Sequence, residues 1–178
     1  MRIIGGIYKN RRVDFKNLNI RPTTDFAKEG LFNTLSNYYD LRKISVLELF
    51  AGSGSISYEF ISRGCKQVVA LDSNIKCVNF MKKFKAKLQI KKFEIYLAKA
   101  KNYLKKNEKC YDIIFLDPPY NYKQIEYDEI IENIFEQNTL NHTGMIIIEH
   151  SKFINFENYP CFLNHKKYGR VNFTFLKQ

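Results

Sequence analysis

From residue 45 onward the chain alternates between short apolar runs and longer stretches in which apolar residues recur at helical spacing. Short apolar runs bounded by breakers are typical of buried strands in a parallel sheet, and the stretches between them predict crossover helices. The pattern predicts strands over 46–50, 67–71, 93–97, 111–116 and 145–149. It predicts helices over 55–63, 74–87, 100–106 and 128–137, the second of them capped by Ser73.

The two ends of the chain follow an alternating pattern instead. Val171, Phe173 and Phe175 share one face of a predicted strand, and residues 162–165 offer it a partner. Because no helix separates these two segments, we expect an antiparallel hairpin at one edge of the sheet. At the opposite end of the chain, residues 2–8 and 11–15 predict a small hairpin.

A polar loop over 21–25 leads from this hairpin into a helix whose Ala27, Leu31 and Leu35 lie on one face. The predicted fold class is therefore α/β, with a doubly wound, mostly parallel sheet and an antiparallel C-terminal edge hairpin. We expect a single domain over 1–178. Residues 1–25 form its N-terminal hairpin and loop, and 26–178 form its core.

The net charge of the chain indicates the kind of partner that it binds. Its 29 basic and 18 acidic residues give a net charge of +11, which favours a polyanion, with nucleic acid before an anionic membrane. Four of the seven arginines fall within the first 21 residues, and we expect them to form a phosphate-binding surface together with Thr23 of the following loop. They are Arg2, Arg11, Arg12 and Arg21.

Cysteine spacing and hydropathy exclude several other classes of protein. The four cysteines are scattered without a C-x-x-C pair, which argues against a zinc site and against a disulfide framework. No apolar run is long enough to span a membrane, and the N-terminus has no secretory pattern. We therefore expect a cytoplasmic monomer that needs no metal.

The first candidate site follows the predicted strand 111–116, where the sequence continues Asp117-Pro118-Pro119-Tyr120. Ligands of parallel sheets bind beyond the carboxyl ends of the strands. An Asp oxygen and a Pro carbonyl can accept the two hydrogens of an exocyclic amine, and an aromatic ring can stack on the heterocycle that carries it. A plain turn after a strand is the competing interpretation of the same residues.

The second candidate site is the turn Phe50-Ala51-Gly52-Ser53-Gly54, between the first strand and its helix. Glycines there allow a ligand to approach the backbone closely. Asp72 ends the next strand, where a carboxylate can accept both ribose hydroxyls of a nucleoside. Position 57 is Ser rather than a third Gly, which disfavours a dinucleotide, and Glu48 suits the ammonium of an amino-acid tail. These features indicate S-adenosylmethionine.

Four motifs occur in an order that resembles a known family. They are Arg2-Ile3-Ile4-Gly5-Gly6, Arg21-Pro22-Thr23-Thr24-Asp25, Leu49-Phe50-Ala51-Gly52-Ser53-Gly54 and Asp117-Pro118-Pro119-Tyr120. Together they are similar to the small bacterial 16S ribosomal RNA guanine-N2 methyltransferases that modify guanine 966. The resemblance runs from about residue 2 to the end of the chain, and its first two motifs are the more specific ones.

This resemblance implies a class I methyltransferase fold, S-adenosylmethionine as the methyl donor and the 30S ribosomal subunit as the substrate. It implies that Gly52, Ser53 and Gly54 line the amino-acid end of the cofactor, with Asp72 at the ribose and Ala100 near the adenine. We also expect Phe50, Ala51 and Ser73, which flank these positions, in the cofactor site. The guanine amine would be held by 117–120, and the N-terminal hairpin and the loop after it would bind RNA.

Two positions depart from the family pattern. Glu48 stands where Asp is usual, and its longer side chain still reaches a methionine ammonium. Lys99 stands where a small polar or acidic residue often meets the adenine amine, so we expect backbone atoms around Ala100 to serve there instead. Two other functions remain open: an adenine-N6 DNA methyltransferase, and a non-catalytic RNA-binding assembly factor with the same fold.

Overall fold

Seven strands form one sheet, in the order β3-β2-β1-β4-β5-β7-β6, in the computed structural model, which describes residues 1–15, 18, 20 and 23–178. Strands β1 to β5 pair in parallel with one another, and β7 is antiparallel to both β5 and β6. The strands are β1 Ser45–Glu48, β2 Gln67–Asp72, β3 Phe93–Leu97, β4 Tyr111–Leu116, β5 Leu140–His150, β6 Phe162–Tyr168 and β7 Val171–Lys177. The helices are α1 Asp25–Leu35, α2 Ser55–Ser62, α3 Ile75–Lys87, α4 Ala100–Leu104 and α5 Gln124–Glu136.

The central strands are mostly apolar because helices cover both faces of the sheet. Alternate residues of β4 show this arrangement. Ile113 and Phe115 pack with α1, α2 and α3, whereas Ile114 and Leu116 pack with α4 and α5. The predicted α/β sheet and the antiparallel pair at the C-terminus are confirmed, and the sheet places β1 beside β4.

Several predicted boundaries were wrong by one to five residues. Helix α3 is capped by Asn74 rather than by Ser73, because the Asn74 side chain accepts the Lys76 N–H at 2.9 Å. Helix α5 begins four residues earlier than predicted, where the Glu126 side chain accepts the N–H of Lys123 at 2.9 Å. Strand β5 begins at Leu140 rather than at 145, because Leu140 already pairs with β4.

The N-terminal segment pairs with itself at a single antiparallel bridge, between Arg2 and Arg12, and not over the full hairpin that the sequence predicts. The pairing stops because the chain turns onto the end of α2. Ile7 N–H donates to the Ser62 carbonyl at 2.7 Å, and Tyr8 N–H donates to the Ser62 hydroxyl at 2.9 Å. Gly6 has φ +75, and a Cβ there would lie 1.8 Å from the Ser62 oxygen, so only glycine fits.

A buried network of charged side chains also holds the N-terminal segment in place. The ammonium of Lys28 donates to Glu59 at 3.0 Å and to the Arg2 carbonyl at 2.6 Å, and Lys28 and Glu59 are both fully buried. Glu59 also accepts the Ile4 N–H at 2.8 Å and pairs with Arg63. The N-terminal segment is therefore attached to α1 and α2 by groups that water does not reach.

Among the residues that the structure describes, no helix has the length and the apolar character needed to cross a membrane.

Candidate active site

The carboxyl ends of β1, β2 and β4 open into one cleft with a volume of about 410 Å³. Since β1 lies between β2 and β4, the turn after β1 and the loop after β4 face each other across it. The two candidate sites found in the sequence therefore share one cavity. Its lining consists of Ile20, Thr23, Glu48, Phe50, Ala51, Gly52, Ser53, Ser55, Ile56, Asp72, Ser73, Asn74, Cys77, Asp117, Pro118, Pro119 and Tyr120.

The glycine turn is held open by Asp72. Gly52, at φ +54, donates its N–H to one oxygen of the Asp72 carboxylate at 2.8 Å, and Asn74 N–H donates to the other at 2.7 Å. A carboxylate has about four acceptor sites, so Asp72 keeps capacity for a ligand's hydroxyls. Gly54 does not line the cleft itself. At φ +79 it is the N-cap of α2, and a Cβ there would lie 3.0 Å from the Tyr58 ring.

The N-terminus of α2 carries a hydroxyl that sequence reasoning missed. Ser55 is buried and lines the cleft, and its Oγ has no hydrogen-bond partner among the described residues. Buried polar atoms are almost always paired, so an orphaned hydroxyl in a cavity indicates a place for a polar ligand atom. The partial positive charge of a helix N-terminus favours a negative group there. Serine in a glycine turn is too common for the sequence alone to have revealed this.

Glu48 lies at the end of β1 and is buried in the floor of the cleft. Its Oε2 accepts the N–H of Ser57 at 2.9 Å and also the Ser57 hydroxyl. Burial, together with the nearby Asp72 and Glu149 carboxylates, raises the pKa of the Glu48 carboxyl to about 8, although these hydrogen bonds lower it. A cation bound beside Glu48 would relieve this unfavourable charge.

Asp117 follows β4 directly, and its pKa lies well above its usual range, first through burial and then through the Glu149 and Glu48 carboxylates. Tyr120 is 69% exposed at the mouth of the same cleft. The carbonyl of Pro119 accepts the N–H of Tyr122 at 2.9 Å, which leaves Pro118 as the better backbone acceptor for a ligand. A raised carboxyl pKa at this point suits a group that must accept a proton.

A third carboxylate stands next to Asp117 because β5 is the neighbour of β4. Glu149, near the end of β5, is buried and accepts the Thr23 hydroxyl at 2.8 Å. Three carboxylates from adjacent strands thus influence one another at the base of the cleft, as the pKa of Asp117 shows. Such a site favours ligands that carry or develop positive charge.

A second compartment of about 300 Å³ adjoins the first, and the two share Phe50 and Ser73. The ring of Phe50 meets that of Tyr122 edge to face, with 5.6 Å between centroids. Apolar walls and an open backbone segment suit a flat heterocycle. The compartment is lined by Leu49, Phe50, Ser73, Ala98, Lys99, Ala100, Lys101, Asn102 and Tyr122. Lys99 and Ala100, the two positions that the sequence interpretation associated with the adenine, both line this compartment.

The predicted RNA-binding residues divide into three groups. Arg11 and Arg12 are exposed, and Arg2 is exposed but paired with Asp25 at 3.1 Å. Thr23 is not on this surface, because its hydroxyl is buried against Glu149 and its side chain lines the cleft. Arg21 lies outside the described residues. No group of His, Cys, Asp and Glu suited to a metal ion occurs in the described part of the chain.

Comparison with known proteins identifies the family. The family model described as conserved hypothetical protein 95 matches residues 1–177. Ribosomal RNA small subunit methyltransferase D of Buchnera aphidicola subsp. Baizongia pistaciae is 36% identical over 87% of this chain and 78% of its own. The protein of that name from Haemophilus influenzae is 33% identical over 97% and 91%.

Among solved structures, an Escherichia coli protein described as a candidate methyltransferase superposes with a TM-score of 0.87. It is 24% identical, covering 100% of this chain and 97% of that one, and this likeness shows the fold. The fold is accordingly that of the class I methyltransferases. This chain belongs to the conserved hypothetical protein 95 family, together with the ribosomal RNA small subunit methyltransferases D that it matches.

Proposed function

We propose that this protein transfers a methyl group from S-adenosylmethionine to the exocyclic N2 amine of a guanine in 16S ribosomal RNA. The observation that carries the proposal is the single cleft shared by Gly52, Asp72 and Asp117. The cleft places Asp72 and the Gly52 turn, which suit a nucleoside cofactor, close to Asp117, which suits an amine, at adjacent strand ends. The names of the relatives, which are ribosomal RNA small subunit methyltransferases, support RNA as the acceptor.

The chain's own residues fit this cofactor. Its ammonium would lie against the buried Glu48, and its carboxylate against the orphaned Ser55 hydroxyl at the start of α2. Asp72 would accept the ribose hydroxyls, and the compartment beside Phe50 would hold the adenine next to Ala100. When bound, S-adenosylmethionine supplies an electrophilic methyl group on a sulfonium.

The loop after β4 would hold and activate the acceptor. Asp117 and the Pro118 carbonyl would accept the two amine hydrogens, and the exposed ring of Tyr120 would stack on the base. These bonds favour the positive charge that develops on nitrogen as it attacks. Asp117, whose pKa is raised in the buried site, then accepts the proton that the nitrogen loses. Positioning supplies most of the remaining acceleration.

An adenine-N6 DNA methyltransferase is the nearest alternative, because these acceptors suit any exocyclic amine. The test is incubation with labelled S-adenosylmethionine and 30S particles that lack the modification, followed by nucleoside mass spectrometry. We expect label in N2-methylguanosine of the RNA. Label in N6-methyladenosine, or transfer to DNA in place of RNA, would refute the guanine assignment, and no transfer to either would favour a non-catalytic factor. Comparison of intact 30S with protein-free 16S RNA identifies the form that serves as substrate.

A further inference from the structure

A separate cavity of about 540 Å³ lies beyond the end of β5, between the 151–157 loop and strands β6 and β7. It takes no part in the cofactor and amine sites described above. Its floor is aromatic, formed by His150 and the buried Phe156, whose ring centroids are 5.1 Å apart at 78°. His165, on β6, meets His150 at 5.7 Å.

Hydrogen bonds hold the His150 ring in the floor, and burial lowers the pKa of His150, which favours its neutral form. The Nδ1 of His150 lies 2.8 Å from the Ser151 carbonyl, which can only accept, so this nitrogen carries the proton. The Nε2 of His150 then accepts the Thr174 hydroxyl at 2.8 Å. Since both ring nitrogens are engaged inside the protein, His150 serves as a wall of the cavity and is not available as a ligand.

The rim presents an aromatic ring and cations to solvent. Phe153 is 83% exposed although its turn is fixed, because Ile154 N–H donates to the Ser151 carbonyl at 3.2 Å. The ammonium of Lys152 lies 5.1 Å from the centre of the Phe153 ring. Lys167 is also exposed and lines the same cavity, as does one acidic residue, Glu157. An ordered, exposed phenyl ring in a cavity that two lysines also line has the features of a stacking platform for a nucleobase with cations for its phosphate.

A continuous row of ring contacts joins this cavity to the cofactor cleft. Successive centroids are 5.6, 5.9, 5.5, 5.1 and 5.7 Å apart. The row runs through Phe50, Tyr122, Tyr127, Phe156, His150 and His165. His150 ends β5, the parallel neighbour of β4, so the cavity lies at the same end of the sheet as the reaction site.

We propose that this cavity binds a nucleotide of the RNA strand flanking the target base, with the base stacked on Phe153 and a phosphate between Lys152 and Lys167. This inference rests on the proposed function, since the strand in question is that of the RNA substrate. It assigns substrate affinity to a surface far along the chain from the arginines of the N-terminus. Single-stranded recognition by stacking is common in RNA binding.

The test compares Phe153→Ala, Phe153→Leu and Phe153→Trp in methyl transfer to 30S particles that lack the modification. We expect Phe153→Ala to raise KM about tenfold, the size of one base–aromatic stack, with little change in kcat. Phe153→Trp should restore the wild-type KM, whereas Phe153→Leu should not. Replacing Lys152 and Lys167 by Gln should flatten the salt dependence of RNA affinity by a slope of roughly 0.7 for each lysine.

Matched controls are Tyr96→Ala, on the opposite edge of the sheet, and Lys83→Gln, on the exposed face of α3. A wild-type KM in Phe153→Ala would refute the stacking site. A wild-type KM in Phe153→Leu would also refute it, and would indicate an apolar protein contact instead. A wild-type protein that methylates no RNA refutes the proposed function instead. Active wild type with an unaffected Phe153→Ala refutes only this inference.

Discussion

The hydroxyl of Thr23 donates a hydrogen bond to the carboxylate of Glu149, with 2.8 Å between Oγ1 and Oε2. Both side chains are buried, although 126 positions separate them along the chain. The contact attaches the segment before α1 to the end of β5. It also sets one wall of the cleft, because Thr23 lines that cleft beside Asp117.

Removal of this contact should destabilise the protein. We expect Thr23→Ala to lower the free energy of unfolding by about 1–3 kcal/mol, because a buried carboxylate loses a hydrogen-bond donor. Thr23→Ser keeps the hydroxyl and should recover most of that loss. Urea denaturation of the three proteins measures the difference, and equal stability of Thr23→Ala and wild type would contradict the assigned contact.

The buried Lys28–Glu59 ion pair should contribute more to the free energy of unfolding than the hydrogen bond between Thr23 and Glu149. Lys28→Met leaves the Glu59 carboxylate buried with one cation fewer, for which we expect a loss of about 3–5 kcal/mol. The double variant Lys28→Met/Glu59→Leu removes both buried charges and should be more stable than Lys28→Met alone. A loss below about 1 kcal/mol for Lys28→Met, by chemical denaturation, would show that the network is not stabilising.

The pKa of Glu48 makes the stability of the ligand-free protein depend on pH. The folded pKa of about 8 exceeds the ordinary value of 4.5, so between these values the folded state holds a proton that the unfolded chain has released. Stability should therefore fall as pH rises from about 5 to 8. We expect Glu48→Gln to remove this part of the slope in denaturation curves measured across that range. An identical slope in the two proteins would show that a group other than Glu48 causes this pH dependence.

Cofactor affinity should increase as the pH rises, whereas the stability of the ligand-free protein decreases. A cofactor ammonium bound beside Glu48, as proposed, would favour the ionised carboxylate, so binding at pH 7 should release up to one proton, and affinity should rise towards pH 8. Calorimetry in buffers of different ionisation enthalpy counts that proton. Glu48→Gln should bind more weakly and release none; unchanged proton release would exclude Glu48 as its source.

The N-terminal arginines should contribute through phosphate contacts. Arg11 and Arg12 are exposed, and replacing both by Gln should weaken RNA binding and reduce the slope of log affinity against log salt by roughly 1.4 to 1.8. Lys82→Gln/Lys83→Gln, on the solvated face of α3, is the matched control of equal charge. Fluorescence anisotropy over a range of salt concentrations gives both slopes. If the arginine variant keeps the wild-type slope, the phosphate surface lies elsewhere.

Sequence patterns predicted what local physical chemistry determines. Strands β3 and β4 have the predicted bounds, since a short apolar run between breakers has few alternatives as a buried strand. Asp72 and Asp117 lie in one cleft because strand order follows from repeated βα units. Caps were less predictable, because Ser73 and Asn74 are both good N-caps and the helix uses Asn74.

Long-range contacts could not be predicted from the sequence. The burial of Thr23 against Glu149 depends on where the N-terminal segment crosses the sheet, and no local pattern encodes that crossing. The same holds for Lys28, which as an isolated residue in an amphipathic helix predicts a solvent-exposed side chain. Phe153 was overlooked because only the structure reveals that its ring is exposed on a fixed turn.

The central claim is that Asp117 acts on the amine while Asp72 holds the cofactor, within one cleft. The most direct measurement pairs calorimetric S-adenosylmethionine affinity with single-turnover methyl transfer in Asp117→Ala and Asp72→Ala. We predict that Asp117→Ala binds the cofactor within about twofold of wild type but loses at least about a hundredfold in transfer rate. We predict that Asp72→Ala loses about tenfold or more in cofactor affinity. Wild-type transfer by Asp117→Ala, or wild-type cofactor affinity in Asp72→Ala, would contradict this division of roles.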